Sequence, residues 1–292
     1  MNKHKLADTI STVTNPPIIT IPLFLIICII LSFENGAFDW TKFSVLEMIS
    51  LVFASVLPMA IIIYWAKRIN TDKDISNRED RFTPLVIGIV SYFIGVVVCL
   101  ILHADNFLTL LLLCYAVNTG VVLVITSKWK ISVHTTGISG PIAALILLLG
   151  PFGAVFGIIY PIVIWSRVLL KKHTLSQAIC GGVQGFFLTV LEMYLYMYIF
   201  SMPINGMISL EMSILYILAI IMTPVVLGVL SYGDIGSKNK VFVLSEIVLL
   251  VMFYVLMPLD VFLIFVLITL TSVLISYFAG DEFVWFRVLN SS

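Results

Sequence analysis

Charge is what this sequence has least of. Asp, Glu, Lys and Arg make up 11% of its 292 residues, where a soluble domain carries about 25%. Hydrophobic residues reach 61% and the mean hydropathy is +1.14, so the chain cannot coat itself with polar groups and reads as a polytopic membrane protein. Apolar runs extend from near residue 17 to near residue 279, which leaves no room for a separate soluble domain. Sixteen Lys and Arg balance sixteen Asp and Glu, so no net field draws the chain toward nucleic acid and none is expected as a partner. Cysteine is scarce as well. Cys28, Cys99, Cys114 and Cys180 fall in or at the end of apolar runs with no metal-ligand spacing, and they read as small hydrophobes. The first run closes with "IICIILSFENG". That segment has no small-x-small cleavage exit and is expected to stay as an anchor.

A helix needs roughly 20 apolar residues to cross about 30 Å of hydrocarbon. Ten segments qualify as candidates: 17–33, 44–66, 84–103, 107–126, 137–150, 152–170, 178–200, 212–231, 241–257 and 261–279. The expected fold class is therefore all-α, with about ten transmembrane helices. The fifth segment is short and meets the sixth at "GPFG", which suggests a tight helical hairpin. With this count, fifteen of the sixteen Lys and Arg fall on one face, and Lys42 alone lies opposite. The positive-inside rule places that basic face, and both termini, in the cytoplasm of a cell-membrane protein.

Three loops on the basic face hold the unusual residues: "NTDKDISNREDRFTP" from residue 70, "KWKISVHTTG" from residue 128 and "SRVLLKKHTLSQ" from residue 166. Two candidate helices separate each loop from the next, so all three emerge on the same side. Lys73, Arg81 and Arg167 are cations, while Ser132, Thr135 and Thr136 carry hydroxyls. Two of only four histidines, His134 and His173, lie here, and the helix expected to open at Gly137 brings its amide groups near. Cations, hydroxyls and a helix N-terminus suit phosphate oxygens. A histidine beside them can attack phosphorus, and a second can protonate the leaving oxygen. Lys128, Lys130, Lys171 and Lys172 read instead as headgroup anchors.

The spacings resemble the signature of the type-2 phosphatidic acid phosphatase superfamily, the metal-independent membrane lipid phosphatases related to vanadium haloperoxidases. That family carries Lys and Arg-Pro six residues apart, then Pro-Ser-Gly-His, then Ser-Arg and His five residues apart, with an Asp closing the motif. Here the resemblance runs over residues 70–182 through Lys73 and Arg81, "SVHT" at 132–135, and Ser166-Arg167 with His173. It implies a phosphatase-like core over residues 1–200 and additional C-terminal transmembrane helices over 201–292. It implies His173 as the nucleophile that becomes a phosphohistidine and His134 as the general acid. Arg81, Arg167, Ser132, Thr135 and Lys73 would hold the phosphoryl oxygens, with Arg167 counted among the catalytic groups. No metal and no cofactor are implied. The implied substrate is a lipid phosphate or diphosphate: a polyprenyl phosphate or diphosphate, phosphatidic acid or phosphatidylglycerophosphate.

The chain departs from the pattern. One extra residue separates Lys73 from Arg81 and no proline follows Arg81, Val133 replaces the motif glycine, and Gln177 replaces the family Asp. The gap between the first two motifs holds two apparent helices, and the loops are expected on the cytoplasmic side, where many bacterial relatives work outside. Gln177 could orient His173 through its carbonyl, or it could close a capping box over "TLSQ". Two other function classes stand beside the phosphatase. A transporter or lipid-binding protein with phosphate-reading loops would be favoured by broken helices and inverted repeats, and the sequence shows no clear internal repeat. A magnesium-dependent prenyltransferase would use Asn70, Asp72 and Asp74 with a partner loop around Asp234. Glu47, Glu192 and Glu246 fall inside apolar segments, where acids tend to serve function.

Overall fold

A computed structural model describes residues 3–70, 75 and 77–201. Lys73, Asp72, Asp74, Asp234, Glu246 and the three C-terminal candidate segments lie outside the described residues. The described chain is mostly helical. Its elements are α1 (Lys3–Val13), α2 (Pro16–Leu31), a hairpin of β1 (Phe33–Glu34) and β2 (Ala37–Phe38), α3 (Trp40–Ser50), α4 (Leu57–Arg68), α5 (Phe82–Ile101), α6 (Asn106–Thr126), α7 (Val133–Leu149), α8 (Ile159–Leu169) and α9 (Leu175–Phe200). Among the described residues five helical stretches are long and apolar enough to cross a membrane: Trp40–Arg68, Glu79–Ile101, Asn106–Thr126, Phe152–Leu169 and Leu175–Phe200. The pair α1 and α2, bent by 62°, makes a sixth if counted as one span. α7 is a shorter apolar helix. It opens at Val133, one turn before the expected Gly137, so the amide groups of its first turn belong to residues 133–136.

α3 and α4 run on as one helix through a π turn at Leu51–Val56. Pro58 explains the irregularity. It has no N–H to donate back along the helix, which frees carbonyls four and five residues earlier. Those carbonyls are filled by side chains: Thr20 Oγ1 donates to Ala54 O at 3.4 Å and Ser91 Oγ donates to Phe53 O at 2.7 Å. In an apolar surround such substitutes are what make a broken helix tolerable.

The expected hairpin at "GPFG" is present. Gly150 ends α7 at φ +59 and a 3-10 stretch, Gly150–Ile158, leads straight into α8. α7 lies at the centre, buried along most of its length, and forms its most extensive contact with α9. Glycine allows that approach. A Cβ on Gly181 would come within 2.5 Å of Ser132 O and Thr135 Oγ1, and one on Gly185 within 2.6 Å of Thr136 O. Small residues at such a seam let two backbones meet where no hydrophobic effect drives them together.

The two ends of the bundle differ. At one end, Asn35 and Gly36, both at positive φ, turn the β hairpin, as two-residue loops prefer. Beside it Lys42 pairs with Glu34 at 2.7 Å and Asp105 at 2.9 Å, so its charge is neutralised. The other end collects α1, the second and third motif loops and the described part of the first, around Arg78 and Arg81.

Candidate functional site

The third motif places its histidine by a chain reversal. α8 ends at Leu169, and Lys171 adopts a left-handed conformation at φ 53. That turn folds the next residues back onto the helix, so that Lys172 N and His173 N both donate to Arg167 O, at 3.0 and 3.4 Å. The five-residue spacing from Arg167 to His173 is the length of this reversal. In the second motif Ser132 is the N-cap of α7: its Oγ accepts from Thr135 N at 3.5 Å, and its own N–H donates to Gln177 O at 3.2 Å. Val133 sits in ordinary helical backbone, so glycine is not demanded there.

These loops converge. His173 Nδ1 donates to Lys130 O at 3.2 Å. Arg81 donates through Nε to Ile75 O at 3.0 Å and through Nη1 to Ile131 O at 3.2 Å, while Arg78 Nη1 reaches Lys128 O at 2.9 Å. Arg167 is fully buried and its Nη1 donates to Ser11 Oγ. Ser166 Oγ donates to Ala7 O at 2.8 Å, and His134 hydrogen-bonds the Thr14 backbone. Thus α1 and the break after it close one wall of the site, a contribution that no motif in the sequence announces.

A cavity of about 320 Å³ lies against these groups. Arg81, His134, Thr136 and His173 line its polar end, and Pro58, Met59, Ile62 and Leu85 are among its apolar walls. His134 Nδ1 and His173 Nε2 are buried with no hydrogen-bond partner among the described residues. Burial, then the charges of Arg81, Arg167 and Lys130, push the His173 imidazole down to about 3. Its ring is therefore neutral at physiological pH, with one nitrogen tied to a carbonyl and the other carrying a lone pair.

Of the residues expected in the site, Arg81, His134 and His173 line the cavity. Arg167 acts on both histidines by charge from behind that wall. Ser132 and Thr135 shape the loop instead: both are buried, and Thr135 Oγ1 donates to Ser132 O at 3.1 Å. Thr136 Oγ1 is engaged with Ser132 O and Gly181 O at 3.1 and 2.9 Å. Lys73 lies outside the described residues.

Gln177 is engaged at the helix start and not with His173. Its Oε1 accepts from Thr174 N at 3.1 Å and its N–H donates to Thr174 Oγ1 at 3.3 Å, a complete capping box at the start of α9. Lys130 O holds the His173 ring in its place. One side-chain carbonyl cannot cap the helix and reach the imidazole together, and the local three-residue closure wins. Replacing Gln177 with Ala should therefore cost about 0.5–1 kcal/mol of stability while turnover per folded molecule stays the same. Gln177→Glu should be the best tolerated, since Glu closes the same box. Melting temperature and rate measured side by side decide this; a slower folded Ala variant would return Gln177 to the site.

Compared with known protein families, with curated proteins and with solved structures, the chain matches none.

Proposed function

We propose that this chain is a membrane-embedded lipid phosphatase, a divergent relative of the type-2 phosphatidic acid phosphatases. One observation carries the reading: His173, with Nδ1 tied to Lys130 O and Nε2 unpartnered, shares a cavity with His134 and Arg81. Three loops distant in sequence supply these groups, and the rest of the cavity is largely apolar, as an amphiphile with a phosphate head requires.

The reaction has two halves. His173 Nε2 attacks phosphorus, the bond from phosphorus to the lipid oxygen breaks, and His134 gives that oxygen a proton. Water then attacks the phosphohistidine, His134 takes its proton, the phosphorus–nitrogen bond breaks and phosphate leaves. The negative charge of the bound phosphate, set among Arg81, Arg167 and both histidines, favours the protonated His134 that the first half needs. Arg81 stabilises the charge that develops on the phosphoryl oxygens, a contribution of about 2.7–4 kcal/mol for a donor in favourable cases, and Arg167 adds its charge from behind the wall.

The test is phosphate release from purified protein across polyprenyl phosphates, phosphatidic acid and phosphatidylglycerophosphate, with EDTA present. Release that persists in EDTA and is blocked by vanadate supports the histidine route. Release that requires magnesium supports a prenyltransferase-like site. Binding without turnover supports a transporter, a reading favoured by the 62° break between α1 and α2 beside the cavity.

Ten spans with both termini and the motif loops in the cytoplasm complete the proposal. In a background without native cysteines, a cysteine placed near Lys128 should react with an impermeant thiol reagent only in opened cells, and one near Lys42 in intact cells. The reverse pattern would put the site outside.

A further inference from the structure

The cavity has a second polar end that the phosphoryl chemistry does not use. Away from Arg81 and the histidines it is lined by Tyr115, Asn118, Gly140 and Thr189. Gly140 stands four residues beyond Thr136 on α7, about 6 Å along the helix axis. A Cβ at Gly140 would lie 3.3 Å from Thr189 Oγ1 and 3.8 Å from Tyr115 Cε2, so the glycine leaves this floor to two hydroxyl-bearing side chains.

Those side chains are held in place. Gln184 Nε2 donates to Asn118 Oδ1 at 2.8 Å, which identifies the other end of that amide as the donor. Asn118 Nδ2 lies 2.9 Å from Cys114 O, 3.2 Å from Thr189 Oγ1 and 3.1 Å from Glu192 Oε2. Glu192, buried in α9, thus secures Asn118 from behind. Those three acceptors share the two hydrogens of Asn118 Nδ2; toward that nitrogen Thr189 Oγ1 can only accept, so its own hydrogen is left to donate. Tyr115 Oη is buried with no hydrogen-bond partner among the described residues, and its ring is fixed edge-on by Phe24 and Tyr92, with centroids at 5.2 and 5.4 Å. The floor therefore offers two hydroxyl donors in a buried setting, where a donor left unmade is costly.

We infer that this floor is a second recognition subsite, which takes an acceptor oxygen carried a few bonds from the phosphorus. Resting on the lipid phosphatase reading, it names the substrate as a phosphorylated glycerolipid, whose ester or ether oxygens stand at that distance. A phosphorylated isoprenoid alcohol has only hydrocarbon there and would cover both hydroxyls without bonding them.

The experiment measures binding of two non-hydrolysable probes to the full chain in detergent, a short-chain diacylglycerol phosphonate and farnesyl phosphonate, with phosphate release from the matching phosphates measured beside it. The wild type should prefer the diacylglycerol phosphonate by about tenfold or more, the worth of one or two good hydrogen bonds. Tyr115→Phe with Thr189→Val should bring the ratio close to one while affinity for farnesyl phosphonate holds. A purely structural clamp between α6 and α9 would lower both affinities together, which overturns the subsite, as does equal binding of the two probes by the wild type. Tyr115→Phe alone, which deletes one unbonded oxygen, keeps the test open if the double variant folds poorly. It should lower the ratio in the same direction, and an unchanged ratio overturns the subsite. A preference that survives without any phosphate release supports the floor and sinks the hydrolase reading. Release from both lipids with no binding preference sinks the floor and leaves the hydrolase.

Discussion

Replacing His173 with alanine should abolish phosphate release. Among the described residues the cavity's polar end holds only His134 as another nitrogen able to accept a phosphoryl group, and in the proposed reaction His134 is occupied with the proton of the leaving oxygen. The His173 ring is preset for attack, because Lys130 O fixes its Nδ1 hydrogen and burial with the neighbouring cations keeps it neutral. More than about a tenth of the wild-type rate in His173→Ala, a loss of under about 1.4 kcal/mol, would remove it as the nucleophile. His134→Ala should behave differently. It should slow lipid phosphates, whose alkoxide leaving group needs a proton, and spare activated aryl phosphates for formation of the phosphohistidine. Trapping that acid-labile adduct in His134→Ala with an aryl phosphate separates the two roles.

Arg81→Gln should lower turnover by about a hundredfold or more, the loss of one transition-state donor in a dry site. It should also move a pH profile. After burial, the Arg81 charge is the largest influence holding the His173 imidazole down at about 3. Without it the imidazole rises toward its ordinary value, and the nucleophile is lost to protonation at a higher pH. The acid limb of the rate should therefore shift upward in Arg81→Gln, with the rate normalised to folded protein because Arg81 also ties Ile75 to Ile131. A slower enzyme with an unmoved acid limb would make Arg81 a brace for its loop and nothing more.

The apolar segments were legible because a run of hydrophobic side chains identifies a helix whatever it packs against. All seven candidates from 17–33 through 178–200 coincide with helices here. The pairing of His173 with Arg167 was legible too, since a local reversal sets that spacing. Other features depended on contacts that no local pattern encodes. Ser11 and Thr14 reach the site because α1 folds back against α8. Glu192 looked like an isolated acid until α6 brought Asn118 against it.

Gln177 marks the boundary most sharply. Its sequence position fitted two roles equally, and hydropathy, charge and spacing could not separate them. What the sequence by itself determined is the class of environment, the helical segments up to residue 200 and the polar groups that three loops could bring to one place. Each follows from side-chain chemistry or from neighbours a few residues apart. Only the tertiary structure decided which of those groups line the cavity and which brace it. It also decided that a backbone carbonyl holds the His173 ring. Every residue has such a carbonyl, so no sequence distinguishes the one that the packing of α6, α7 and α8 brings to His173.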